Sequence, residues 1–254
     1  MLKTITKIIT ECLPQISFGV TSVSDINKPS STRLEKENLN TAIMFVFPYK
    51  VQEEPPKNLS RYSAVADYHN VILPKLNFVC EKLKKEFPIN TFKAYSDYSP
   101  ILEVEAASKA GLGVIGENGL LITKEYGSFV FLGEILCDLE PSGENKKAFC
   151  ENCGACKEAC PVGLNKNECL SALTQKRGEL TKEEGEKIKK ATLFGCDICQ
   201  NACPKNKNAK TTFLSEFLEG YRNEYSPLED DTNRPYAWRG RAVIDRNFKI
   251  FEEK

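Results

Sequence analysis

Histidine is almost missing from this 254-residue chain: His69 stands alone, beside one tryptophan and two methionines. A single imidazole excludes centres built from several, the His-rich zinc enzymes among them. Net charge is missing too. The 35 Lys+Arg cancel 35 Asp+Glu, which excludes a grip on polyanions by bulk charge and leaves only a local patch for nucleic acid. No apolar run approaches the ~20 residues of a membrane span, and the amino-terminal MLKTITKIITECLPQ has no signal-peptide core with a small-residue cleavage site. A cytoplasmic protein without membrane contact is expected. With 41% hydrophobic and 28% charged residues the chain can bury a core, and its length suits one large domain or a core plus a smaller module.

Cysteine is what the chain has in excess, with eleven. Cys12, Cys80 and Cys137 are scattered and read as buried small hydrophobes. The other eight crowd between Cys150 and Cys203, which without an export signal indicates metal ligation rather than disulfides. Cys150-x2-Cys153-x2-Cys156-x3-Cys160-Pro161 reproduces the run of bacterial two-cluster ferredoxins, in which the fourth cysteine serves the other cluster. Cys196-x2-Cys199-x3-Cys203-Pro204 is a shortened second copy, and Cys169 can supply its missing thiol. Eight thiols match two [4Fe–4S] clusters, with the sets Cys150, Cys153, Cys156, Cys203 and Cys160, Cys169, Cys196, Cys199. A pair of structural Zn(Cys)4 sites is the alternative reading.

The rest alternates α and β. The apolar run TAIMFVFPY, 41–49, suits a strand buried on both faces. Ser60 is placed to cap a helix carrying Val65, Tyr68, Ile72, Val79 and Leu83 at helical spacing, kinked or split at Pro74. A short strand over 89–95 and a helix over 100–110, stopped by Gly111, follow. Two strands, 120–123 and 128–136, read as a hairpin, with Gly113, Gly116 and Gly119 shaping turns or admitting a ligand. A polar linker covers 142–149, a helix 165–177, and Thr181 with Glu184 forms a capping box for a helix that Gly195 ends. Beyond 211, Phe213, Leu214, Phe217, Leu218, Trp238 and Phe248 should dock the tail on the core. The fold class is therefore α/β (or α+β), with an α/β domain over 1–145, a ferredoxin-like two-cluster module over 146–210 and a docked tail over 211–254. Two clusters make an electron wire, and a wire of single-electron carriers implies a further redox cofactor and a substrate.

The ordered segments DYSPILEVEAASKAGLGVIGENGLLITKEYGSFVFLGEIL, CENCGACKEACPVGL, CLSALTQKRG, GCDICQNACPKN and AWRGRAVIDRN resemble the cobalamin-dependent epoxyqueuosine reductases, over about residues 61–247. The resemblance implies a cobalamin-binding α/β reductase-like domain ahead of the cluster module, base-off cobalamin with no protein imidazole on cobalt, and reduction of the epoxide of epoxyqueuosine in tRNA to the alkene of queuosine. It puts the proton donor on Asp97 and cobalamin contacts on Asn118, Ser171, Cys196 and Asp197. From the residues alone, Asp97 or Ser99 reads as a helix cap, and His69 as a half-buried helical histidine with a hydrogen-bond partner. Two departures stand out: Glu117 occupies a position where the family usually has Lys, and the chain stops at Lys254, where many members continue into a helical-repeat segment that helps hold tRNA.

Three functions follow. The first is a cobalamin and iron–sulfur reductase of epoxyqueuosine-tRNA, drawing on a low-potential donor such as a ferredoxin or flavodoxin and working as a monomer. The second is a corrinoid iron–sulfur reductase of a small molecule, akin to the reductive dehalogenases. The third is a non-enzymatic ferredoxin-type electron carrier. The basic residues Arg234, Arg239, Arg241, Arg246, Lys249, Lys205, Lys207 and Lys210 can meet tRNA phosphates or lie in surface ion pairs.

Overall fold

The computed structural model describes residues 2–27, 38–140, 150–228 and 230–253. The linker expected over 142–149 lies outside them. The chain divides into two compact units, one of Met1–Phe47, His69–Lys124 and Val130–Glu151, the other of Pro48–Tyr68, Glu125–Phe129 and Asn152–Lys254. This division differs from the three consecutive stretches read from sequence. Two short segments of the amino-terminal half belong with the cysteine-rich unit, and the tail is part of that unit rather than a third piece.

The first unit is built on a four-stranded sheet in the order β1-β2-β6-β3, with β1 at Ser17–Ser22, β2 at Thr41–Pro48, β3 at Phe92–Tyr95 and β6 at Val130–Cys137. All eight residues of β2 are buried, as its unbroken apolar run requires of an interior strand. Strand β1 runs antiparallel to β2, and β3 antiparallel to β6 with Phe92 opposite Cys137 and Tyr95 opposite Glu134. Helix α1 (Leu2–Cys12) precedes the sheet, α2 (Tyr68–Glu86) leads to β3, and α3 (Glu103–Lys109) packs against β1 and β6. Met44, Val46, Ile101, Ala106 and Leu136 meet in the core between sheet and α3. A small antiparallel pair, β4 (Val114–Ile115) with β5 (Leu121–Ile122), stands apart from the sheet.

The second unit is a set of short helices: α4 (Ala155–Ala159), α5 (Leu170–Thr174), α6 (Lys182–Ile188), α7 (Ile198–Asn201), α8 (Ser215–Glu219) and α9 (Arg241–Glu252). Helix α4 packs on α7, and α9 on α5 and α6. Leu59, Leu193, Phe194, Tyr225, Tyr236 and Ile244 form its core. There Tyr225 meets Tyr236 edge-on with centroids 6.0 Å apart, a favoured aromatic geometry.

Several local expectations change. No helix starts at Ser60, because its hydroxyl is buried and donates to Phe194 O at 2.7 Å. The helix begins at Tyr68 and runs unbroken through Pro74. The strands read as a hairpin do not pair with each other: β5 joins β4, while β6 enters the main sheet beside β3. Helix α3 starts at Glu103, after Pro100 rather than on it. The helix expected over 165–177 is broken at Cys169, whose φ −52° and ψ 124° interrupt it before α5. The capping box of Thr181 and Glu184 is formed, but α6 ends at Ile188, well before Gly195. In the tail Leu214 and Phe217 are buried, whereas Leu218 and Trp238 are exposed.

Candidate active site and cluster ligands

Strand β3 stops at Tyr95, and Ser96 ties the exit of the chain to β6 by donating its hydroxyl to Leu132 O at 3.2 Å. Asp97 then takes φ +69°, a left-handed conformation that aspartate tolerates better than most residues. Its N–H donates to Glu103 Oε1 at 3.0 Å, and its side chain is 64% exposed. Neither Asp97 nor Ser99 caps the helix: Ser99 Oγ accepts from Ile101 N–H at 3.2 Å, and α3 begins at Glu103 with no side-chain cap. The Asp97 carboxylate therefore faces outward from the turn, with His69 Nε2 3.6 Å from its Oδ2. His69 is the second residue of α2 and half-buried. It is helical and half-buried as the sequence reading has it, and its neighbour Asp97 lies at a separation longer than a hydrogen bond.

Sequence reasoning also missed a carboxyl pair below this turn, Glu134 buried and Glu103 half-buried. Glu134 is fully buried on β6, neither of its oxygens has a completed hydrogen bond, and the Glu103 carboxyl and Ser99 hydroxyl are the polar groups bearing on it. Burial, and then the charge of Glu103, push Glu134 well above the ordinary glutamate range. Burial also raises Glu103, against the opposing pull of Glu134 and of the Asp97 N–H. Both shifts disfavour a second negative charge at the buried Glu134. The one available signal was a lone acid in the apolar run VFLGEILC.

Asn118 sits in the turn joining β4 to β5. Its Oδ1 accepts from Leu120 N–H at 3.3 Å, while its Nδ2 is buried without a protein acceptor. Gly116 is pressed against this side chain, since a Cβ there would lie 2.5 Å from Asn118 Oδ1, and Gly119 turns the chain at φ +79°. These glycines shape the turn. An orphaned buried amide donor fits a ligand rich in acceptors, as cobalamin is with its amides and phosphate.

In the second unit the two Cys-Pro motifs have the same backbone. Cys160 closes α4 at φ −71°, ψ 121°, and Cys203 follows α7 at φ −71°, ψ 122°. Each is followed by proline, which forces this extended conformation on the residue before it. Asn152 and Gly154 take positive φ on either side of Cys153. All eight cysteines are free thiols. Among the described residues no three His, Cys, Asp or Glu are arranged around a single metal ion; what fits the clusters is the thiol donor set, its spacing and the matched Cys-Pro turns. Asp197 is buried beside Cys196, accepts from Arg61 N–H at 2.7 Å, and is pushed by burial up to about 6. Tyr62 joins the predicted residues here: its hydroxyl accepts from Gln175 Nε2 at 3.3 Å, and burial, then Asp197, raise its pKa. Of the other cysteines only Cys137 is buried, while Cys12 and Cys80 are intermediate.

Much of the basic cluster is engaged within the protein. Arg234 is buried and donates to the carbonyls of Ala64, Val65 and Gly220. Arg246 holds the carbonyls of Lys176 and Gly178, Arg239 stacks 3.7 Å from the Trp238 ring centroid, Arg241 pairs with Asp245, and Lys210 with Glu125.

The family model described as epoxyqueuosine reductase QueG, DUF1730, matches residues 32–98, and that of a 4Fe-4S double cluster binding domain matches residues 149–206. A mixed α/β unit joined to a double-cluster module defines a two-cluster iron–sulfur protein. The epoxyqueuosine reductase of Lactococcus garvieae is 35% identical over 240 residues, covering 84% of this chain and 68% of that one. That of Listeria monocytogenes is 33% identical over 233 residues, covering 81% and 61%. The chain belongs to the epoxyqueuosine reductase family, and it spans about 61–68% of the length of these two relatives. In fold it is similar to the solved epoxyqueuosine reductase of Streptococcus thermophilus, at 27% identity and TM-score 0.79 over 99% of this chain and 80% of that one. It is likewise similar to an epoxyqueuosine reductase solved with an epoxyqueuosine-modified tRNA-Tyr stem loop, at 24% identity and TM-score 0.80 over 98% and 81%. Among the described residues no helix is long and apolar enough to cross a membrane.

Proposed function

We propose that this protein reduces epoxyqueuosine in tRNA to queuosine, with electrons passing through two [4Fe–4S] clusters to cobalamin and Asp97 giving the proton to the departing epoxide oxygen. The observation that carries the reading is the outward-facing Asp97 carboxylate, held on a left-handed turn, released from helix capping and paired with His69. Family membership supports the reaction, and a solved relative with a modified tRNA stem loop supports the substrate class.

Overall the reaction takes two electrons and two protons, breaks both C–O bonds of the epoxide and releases the oxygen as water. When bound, cobalamin supplies with the clusters the low-potential electrons at carbon that no side chain can. The chain's own work is binding and proton handling. Expelling an alkoxide unprotonated at neutral pH is costly, and a positioned acid contributes typically 10²–10⁴-fold. Asp97 meets the geometric need, being exposed to a substrate yet fixed through its backbone. His69 stands next to it as a second group able to carry a proton.

The remaining assignments rest on the same reading. Residues 1–145 bind cobalamin and substrate, 146–210 hold the clusters through the two ligand sets given above, and 211–254 complete the cysteine-rich unit. Asn118 offers its unpartnered amide to cobalamin, with Ser171, Cys196 and Asp197 as further contacts. A ferredoxin or flavodoxin supplies electrons to a monomeric, cytoplasmic enzyme. The test is anaerobic reconstitution with iron, sulfide and cobalamin, then assay of epoxyqueuosine-tRNA under a low-potential reductant. Formation of queuosine is expected. A cofactor-loaded protein inert towards this tRNA would overturn the assignment.

A further inference from the structure

We propose that Glu134 is a positioning residue for Asp97, acting through Glu103; this rests on Asp97 being the proton donor. The sheet register starts the argument. Tyr95, the last residue of β3, lies opposite Glu134, so the chain turns into Ser96 and Asp97 directly beside the buried carboxyl. Helix α3 packs against β6 and carries Glu103 in its first turn. Glu103 therefore stands between the Asp97 backbone, whose N–H it accepts at 3.0 Å, and Glu134.

A leucine at position 134 would fill a fully buried site in an apolar strand without the desolvation penalty of a carboxyl. What the carboxyl adds is a hydrogen-bond donor. In the proposed arrangement protonated Glu134 donates to Glu103, which lets Glu103 stay ionised at a half-buried position and keep its hold on the Asp97 N–H. Without that donor Glu103 must take up a proton itself or swing to water, and either change weakens its hold on the turn. The turn needs the hold, because Asp97 sits at φ +69°, a conformation that persists only where its surroundings enforce it. The proton donor would then be placed from a buried anchor, through the observed Asp97 N–H to Glu103 bond and the proposed Glu134 to Glu103 one. In this proposal Glu134 and Glu103 act through Asp97 and not on the substrate.

Three variants of the holoenzyme decide it, with two readouts each: turnover of epoxyqueuosine-tRNA, and hydrogen exchange of the backbone amides of residues 96–101. Glu134→Leu should lower kcat at least about tenfold with KM for tRNA within about twofold, the pattern of a misplaced transition-state group. It should also speed exchange at the Asp97 amide by about tenfold or more, as loss of a protecting hydrogen bond does. Glu134→Gln, whose amide can still donate to Glu103, should restore both. Wild-type exchange and kcat in Glu134→Leu would overturn the inference, as would a Gln variant as impaired as the Leu one in both. Should Glu134→Leu not fold, Glu103→Ala removes the acceptor directly and must give the same two signatures; wild-type behaviour there overturns it equally. Asp97→Asn, assayed alongside, separates the two readings. If it turns over normally, the acid assignment fails while exchange still judges the positioning; if it is inactive and Glu134→Leu exchanges like wild type, the positioning alone fails.

Discussion

His69 Nε2 stands 3.6 Å from Asp97 Oδ2, so the chain's single imidazole lies beside the carboxylate proposed as its acid. One comes from the first turn of α2 and the other from the turn after β3, nearly 30 residues later. The separation is longer than a formed hydrogen bond. On the proposed reading this imidazole serves proton transfer at Asp97 and does not ligate cobalt.

Replacing His69 with alanine should therefore leave the visible and Co(II) EPR spectra of the bound corrin unchanged while lowering turnover by about tenfold, the lower range of a proton-handling contribution. Nitrogen hyperfine splitting that disappears in this variant would show the imidazole on cobalt instead.

Asp97→Asn keeps the size of the side chain and much of its hydrogen bonding but removes the transferable proton. Clusters, cobalamin and tRNA affinity should be retained, and turnover should fall by roughly two to four orders of magnitude. Single-turnover kinetics on epoxyqueuosine-tRNA measures this directly.

Iron and sulfide analysis after anaerobic reconstitution should give about eight of each per chain, since two cubanes use eight thiolates. Cys169→Ala, which deletes one ligand of the second set, should lose one cluster by EPR integration and keep the other. Stoichiometric zinc without iron-based absorbance would identify the sites as Zn(Cys)4.

Arg234→Ala should destabilise the protein by about 2–4 kcal/mol in denaturant unfolding, because three carbonyls lose a buried charged donor. The tRNA affinity of the folded variant should be unchanged, as Arg234 is directed into the core rather than towards phosphate.

The Glu134 carboxyl gives stability a pH dependence of known sign. Its folded-state affinity for a proton is raised by burial and by Glu103, so its favourable contribution is complete while the unfolded glutamate is still protonated. Above the ordinary glutamate range the unfolded state loses its proton first, and stability falls as pH rises until the folded group also ionises. The groups around it, Glu103, Ser99, Asp97 and His69, stay in place in Glu134→Gln. That variant should lack this part of the slope, gaining on wild type as pH is raised from about 4.5 towards 8 in urea titrations.

The sequence by itself determined the cysteine chemistry, because ligand spacing in a short loop-and-helix module is local: the C-x2-C-x2-C-x3-C-P run and its shortened copy are complete before any tertiary contact is known. It also determined the buried strand over 41–48 and the capping box at Thr181, since both rest on residues adjacent in the chain. Tertiary structure decided what depends on pairing between distant segments. Which strand lies beside β6 is a matter of register, and that register, Tyr95 opposite Glu134, brings a buried acid under the Asp97 turn. The apolar alternation of the 120–136 region suits a hairpin as well as two separate pairings, so the sequence could not choose between them. Ser60, a plausible cap by residue type, is instead bound to Phe194 O, and Arg234, plausible as a phosphate contact by charge, is bound to three carbonyls. In each case a partner over 130 positions away, or in Arg234 a set of acceptors contributed by two separate segments, outcompetes the local preference.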